Sequence, residues 1–225
     1  MIRNWPCPGP DGILSDELAI CLDQQRERRL LILPALFDEA NRLRRLTVET
    51  MRRLDRVGVD SFLPDLPGTN ESLVPLASVA LAEWRAAATA AARHFDATHV
   101  LAIRGAALIV PQDLPGWRLA PLNGATLLRQ MLRMRILTRR EAGFEETQSG
   151  LIEAGLSSGL ELGGYSLSAQ MLADLQQATP PEETGQTIIG QDMLGGPALW
   201  LRAEPDESPV QADSLAAIIA IGSRE

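Results

Sequence analysis

Wholly apolar runs alternate with amphipathic segments between Leu30 and Ile103, and that alternation leaves the chain very few architectures. Leu30 to Leu33 is apolar throughout and stopped by Pro34, the pattern of a parallel strand buried on both faces. A helix is expected next: Asp38 or Asn41 caps it, Leu43, Leu46, Met51, Leu54 and Val57 supply its apolar stripe, and Gly58 ends it. Val59 to Leu63 reads as the following strand. Pro75 then opens a second helix with Ala80, Trp84, Ala87, Ala91 and Phe95 along one side, and Thr98 to Ile103 is the next strand. This order builds an α/β fold, a doubly wound and mostly parallel sheet with right-handed crossovers.

The flanks are less regular. Strands are expected near Ile13 to Leu14 and Leu18 to Leu22, within an N-terminal section over 1–27. Ala125 to Arg140 reads as a helix opening a lid-like helical insertion over 125–160, and it carries Arg129, Arg133, Arg135, Arg139 and Arg140 around its circumference rather than in one stripe. Leu160 to Gly164 reads as a strand and Ser168 to Gln177 as a helix capped by Ser168. Thr179 to Gly196 is rich in Pro, Gly and acids and reads as a surface loop, followed by a strand at Ala198 to Arg202 and a closing helix at Val210 to Ile221. A chain of 225 residues with this content is expected to form one domain, 1–225.

Composition removes several classes of chemistry. The chain has no lysine, hence no lysine base or Schiff-base residue. Cys7 and Cys21 are too few for a disulfide framework and lack the spacing of a zinc or redox pair. Acidic neighbours such as Asp38-Glu39 and Glu145-Glu146 point apart on a helix, so neither a metal nor a cofactor is expected. A pI near 4.9 and the absence of a base-reading motif speak against nucleic acid. No run is long enough to span a bilayer and no apolar leader is visible, so a cytoplasmic protein without stable membrane insertion is expected. Charge is uneven: residues 1–140 hold 19 arginines against 15 acids, and residues 141–225 hold 2 against 14.

In a doubly wound sheet, ligands sit beyond the carboxyl ends of the strands, which singles out Pro34 to Asn41, Pro64 to Ser72 and the segment from Arg104. These loops contribute Phe37, Asp38, Glu39, Asn41, Asp65, Gly68 and Arg104 as pocket or anion-binding candidates. The run Asp65-Leu66-Pro67-Gly68-Thr69-Asn70-Glu71-Ser72, placed just after a strand, resembles the corresponding loop of many α/β-hydrolases. That resemblance implies a nucleophile on a strand-to-helix elbow at residues 102–106. The residues there are Ala102-Ile103-Arg104-Gly105-Ala106, and a permanently protonated arginine cannot attack a carbonyl. Two roles are open to Arg104: it holds an anion, or it is a strut paired with Asp38, Glu39 or Asp65. His94 and His99 are the only histidines and both precede the elbow, whereas a triad of this kind needs one after it. The post-elbow helix is missing as well, because Ala107 to Val110 runs directly into Pro111.

Leu31 to Arg45, Asp65 to Gly68, Ile103-Arg104, Pro121 to Gly124 and Leu128 to Arg135, followed by Gly164 to Ser168, together resemble the exosortase A system-associated hydrolase 2 family over most of residues 28–220. The resemblance implies a shortened α/β-hydrolase-like fold and a bacterial exopolysaccharide and protein-sorting locus, with arginine in place of the nucleophile. The leading expectation is a catalytically degenerate binding or scaffold factor. The alternative is an atypical esterase-like hydrolase that uses Ser166, Ser168 or a cysteine, which needs a base within about 3 Å. The arginine-rich helix is a candidate contact for an acidic partner, a membrane surface or a phosphate-bearing lipid. The ligand, small molecule or protein, is unassigned, and a homo-oligomer is left open.

Overall fold

The computed structural model describes residues 1–182 and 185–223. Its main sheet has seven strands in the order β1 (Ile2–Pro8), β2 (Leu14–Leu22), β4 (Asp60–Pro64), β3 (Arg29–Leu33), β5 (His99–Ile103), β6 (Gly116–Leu119) and β9 (Gln186–Ile189). β1 and β2 pair antiparallel, β2 runs antiparallel to β4, and every later pairing is parallel. A two-stranded hairpin, β7 (Leu160–Leu162) and β8 (Tyr165–Leu167), lies apart from it.

Period-two alternation in the central strands fills both faces. Leu31, Leu33, Val100 and Ala102 belong to one apolar cluster and Leu30, Ile32, Leu101 and Ile103 to the other. The first cluster is closed by α2 (Leu81–His94), α3 (Gly124–Glu141), α4 (Gln148–Ser158) and α5 (Ala169–Gln177). The second is closed by α1 (Asp38–Arg56), α6 (Gln191–Leu194) and α7 (Pro209–Gly222).

Several expectations are corrected. The first strand spans Ile2–Pro8, with Pro6 and Pro8 on the sheet edge, where a missing N–H costs no ladder bond. Pro75 opens a 3₁₀ turn at Leu76–Ser78, and α2 begins only at Leu81, where Glu83 Oε2 accepts the Ala80 N–H at 2.8 Å. Neither Asp38 nor Asn41 caps α1, since the residue before the helix is Phe37 and no side chain caps it. The stretch read as a loop over 179–196 contains β9 and α6, with residues 183 and 184 outside the described residues. Ala198 to Arg202 is not a strand: it holds a 3₁₀ turn at Leu199–Leu201.

β6 was illegible in the sequence for a physical reason. It opens on Gly116 at φ 147°, where a Cβ would lie 2.0 Å from the Val100 carbonyl oxygen, and it places Arg118 on a face otherwise apolar. No alternation of four residues survives that composition.

Candidate functional site

The carboxyl end of β5 carries the sharpest local feature of the chain. Ile103 is extended at φ −99° and ψ 120°, and Arg104 turns into the left-handed region at φ 56°. A positive φ at a non-glycine residue is uncommon and marks a sharp redirection of the chain. Gly105 fits the crowding that follows, because a Cβ there would sit 3.2 Å from Leu127 and 3.3 Å from Leu36. One 3₁₀ turn, Arg104–Leu108, is all the regular structure between β5 and β6.

Arg104 is buried, 8% exposed, and every nitrogen of its guanidinium is used. Nε and Nη2 donate to Glu39 Oε2 and Oε1 at 3.0 and 3.1 Å, and Nη1 donates to the Ala120 carbonyl at 2.8 Å. The guanidinium lies 4.2 Å from the ring centre of Trp200. A two-pronged, charge-assisted pair stacked on an aromatic face is the arrangement that most offsets the cost of burying an arginine. Of the three carboxylates considered as its partner, Glu39 is the one in contact.

The other loop residues do not converge on the guanidinium. Asp38 points outward and pairs with Arg42 at 2.5 Å, and Asn41 is exposed. Asp65 is buried, accepts from Asn70 Nδ2 at 2.5 Å and lies 3.8 Å from Arg44. Burial outweighs these partners and raises its pKa from the ordinary aspartate value. Gly68 adopts φ 78° and donates its N–H to Ser72 Oγ at 2.9 Å, and a Cβ there would meet Leu76 Cα at 2.7 Å. Its requirement is that of a tight turn. Phe37, at φ 55° and ψ −134°, is wedged between Trp84 and Tyr165 with ring centres 5.4 Å from each.

Sequence reasoning missed Glu17. It is 1% exposed on β2, accepts from Ser72 Oγ at 2.8 Å and Ser15 Oγ at 3.1 Å through Oε1, and leaves Oε2 without a partner. The signal was present, because period two puts residue 17 on the same inward face as Ala19 and Cys21. Trp200 and Ala120, the other contacts of Arg104, left no sequence signal at all.

Among the described residues, none of the groups named as alternative nucleophiles is hydrogen-bonded to a side-chain base. Ser168 caps α5, accepting the Met171 N–H at 3.0 Å while its Oγ donates to the Val79 carbonyl at 3.2 Å. Ser166 is exposed on the hairpin. Cys7 and Cys21 are buried, and burial pushes the Cys7 thiol up to about 12. His94 packs beside Phe95 at 4.7 Å. His99 stacks on Trp117 at 5.7 Å, at the opposite end of β5 from Arg104, about 16 Å away at ~3.3 Å per residue. Burial lowers its pKa. Among the described residues, no group of three His, Cys, Asp or Glu side chains is placed to hold a metal, and no helix is long and apolar enough to cross a membrane.

The five arginines of α3 divide into two sets. Arg135 forms a two-pronged pair with Glu146 at 3.0 and 2.7 Å, and Arg139 lies 3.8 Å over the Phe144 ring. Arg129, Arg133 and Arg140 are exposed and enter no ion pair among the described residues. A distribution around the whole helix is thereby corrected: Arg135 and Arg139 turn toward Glu146 on one side, and the remaining three share another.

The mostly parallel sheet with its flanking helices superposes on solved structures of one architecture over the length of the chain. The chain has an α/β-hydrolase fold. It aligns over 100% of its length with 98% of an esterase domain from Rhodothermus marinus, at 12% identity and a TM-score of 0.55. It also aligns over 100% of its length with all of the α/β hydrolase domain-containing protein 10 from mouse, at 11% identity and a TM-score of 0.52. Comparison with protein-family models and with curated proteins gives no match. The turn that follows β5 begins with Arg104, whose guanidinium is fully occupied.

Proposed function

We propose that this α/β-hydrolase-like chain is catalytically silent and works by binding, as a scaffold factor in a cytoplasmic exosortase and exopolysaccharide system. The observation that carries the reading is Arg104 at the nucleophile elbow, tied to Glu39, Ala120 and Trp200. An arginine cannot be a nucleophile at any physiological pH. The Glu39 pairing favours the strut over the anion site, because an incoming anion would have to displace a carboxylate already bound at both ends. The exosortase association rests on the sequence resemblance and on the arginine at this position.

The test is labelling of the purified protein with a fluorophosphonate probe beside an active esterase, with hydrolysis of a short-chain p-nitrophenyl ester followed in parallel. Neither labelling nor turnover is expected. A labelled peptide accompanied by turnover would overturn the proposal and locate the nucleophile.

A further inference from the structure

All buried residues of α3 lie in its first half, up to Leu132; beyond it one side still meets the body, through Ile136 against the core and Arg135 donating to the Glu161 carbonyl at 2.7 Å. The other side of that half exposes Met134 (54%), Leu137 (46%) and, just beyond the helix end, Phe144 (51%). Phe144 is held in place by Arg139, which lies 3.8 Å over its ring, and by its N–H donating to the Arg139 carbonyl at 2.9 Å. Arg129, Arg133, Leu137 and Glu141 follow one another at four-residue steps and so form one ridge, all exposed. Neither Arg133 nor Glu141 has an ionic partner among the described residues.

The ridge is self-complementary. Leu137 stands at its centre, with Arg133 four residues before it and Glu141 four residues after it, each about 6 Å away along the axis at ~1.5 Å per residue. Two copies of α3 laid antiparallel about a two-fold axis through Leu137 therefore bring Arg133 of each against Glu141 of the other. We infer that this face of α3 is an isologous contact between two copies of the chain. A uniformly anionic surface, such as a lipid bilayer, fits less well, because Glu141 lies within the ridge. An acidic peptide meets the same repulsion. A partner with both signs in inverted order pairs Arg133 and Glu141 together, and a second copy is such a partner.

A contact confined to one helix face falls short of the roughly 800 Å² per partner of a standard stable interface, so a readily dissociating dimer is expected. Sedimentation velocity from about 1 µM to 1 mM should show a 24.4 kDa monomer giving way to a dimer. Arg133→Glu and Glu141→Arg each place like charges together and should weaken the dimer at least tenfold. The double variant exchanges both signs and should restore it to within about threefold, by the logic of a double-mutant cycle. Leu137→Cys should cross-link across the axis under mild oxidation, and Leu156→Cys, exposed on α4, should not; the native cysteines are buried and stay out of the reaction. A monomer across the whole range overturns the inference, as does a dimer indifferent to Arg133→Glu or one not rescued by the exchange. Wild-type binding to phosphatidylserine vesicles that Arg133→Glu abolishes, with no dimer in solution, would assign the face to lipid instead. All substituted side chains are exposed, and circular dichroism verifies the fold of each variant.

Discussion

Glu39 in the first turn of α1 grips Arg104 at the end of β5 with both carboxylate oxygens, at 3.0 and 3.1 Å, across two consecutive parallel crossovers of the chain. The pair lies beyond the carboxyl ends of the parallel strands and ties the start of α1, after β3, to the turn after β5. Removing Arg104 alone leaves Glu39 a buried carboxylate with no counter-charge. Arg104→Met should lower stability by about 3–5 kcal/mol, whereas Arg104→Met combined with Glu39→Leu should recover most of the loss. Urea denaturation of both variants measures this, and equal losses in the two would show that the pair contributes only packing.

Glu17 predicts an unusual pH dependence. Burial raises its carboxyl pKa, and the hydrogen bonds from Ser72 and Ser15 only partly offset that. The folded state therefore holds the proton more tightly than the unfolded state. Its contribution to stability is complete below the ordinary carboxylate value and is lost as pH rises through the raised folded value. Glu17→Gln should melt higher than the parent at pH 7–8 and show a flatter dependence from pH 4 upward. Asp65, raised for the same reason, adds slope of the same sign in both proteins, and the lowered carboxyls of Asp23, Glu49 and Glu146 add the opposite sign in both, so the difference between the two isolates Glu17. Thermal melts of the two proteins across this range decide the point, and a variant less stable than the parent at pH 8 refutes it.

The cysteines should be silent in the native protein. Cys7 is buried, and loss of solvation, aided by the nearby Glu17, raises its thiol to about 12; Cys21 is raised mainly by burial. Since the thiolate is the reacting species, iodoacetamide at pH 8 should modify neither residue until the chain is unfolded, after which both react. Mass spectrometry before and after denaturant reads the result. Rapid native alkylation would show that the thiols are reachable.

Gly116→Ala should be among the most damaging single substitutions in the sheet. Its Cβ would fall 2.0 Å from the Val100 carbonyl oxygen, on backbone that cannot retreat without breaking the β5–β6 pairing. The cost should exceed the ~1–3 kcal/mol of ordinary overpacking. Gly143→Ala is the contrast: at φ 83° and with no atom within 4 Å, it should lose only the ~1 kcal/mol of left-handed strain. Chemical denaturation separates the two, and comparable losses would remove the steric explanation.

The sequence by itself determined the central architecture. Strands buried on both faces must be apolar throughout and helices covering them must carry one apolar stripe, so β3, α1, β4 and β5 were written in local composition. The arginine that follows Ile103 and the place of both histidines before it were equally local, because they depend on residue type and order alone. Only the tertiary structure decided which carboxylate meets Arg104. Asp38 and Glu39 are adjacent in the chain, yet the helix turn sends one to Arg42 in solvent and the other inward. Trp200 and Ala120 reach the same guanidinium from 96 and 16 residues away, and no spacing in the chain encodes such an approach. β6 and β9 also had to wait for the fold: a strand of four residues owes its pairing to the neighbour already in place, not to its own alternation.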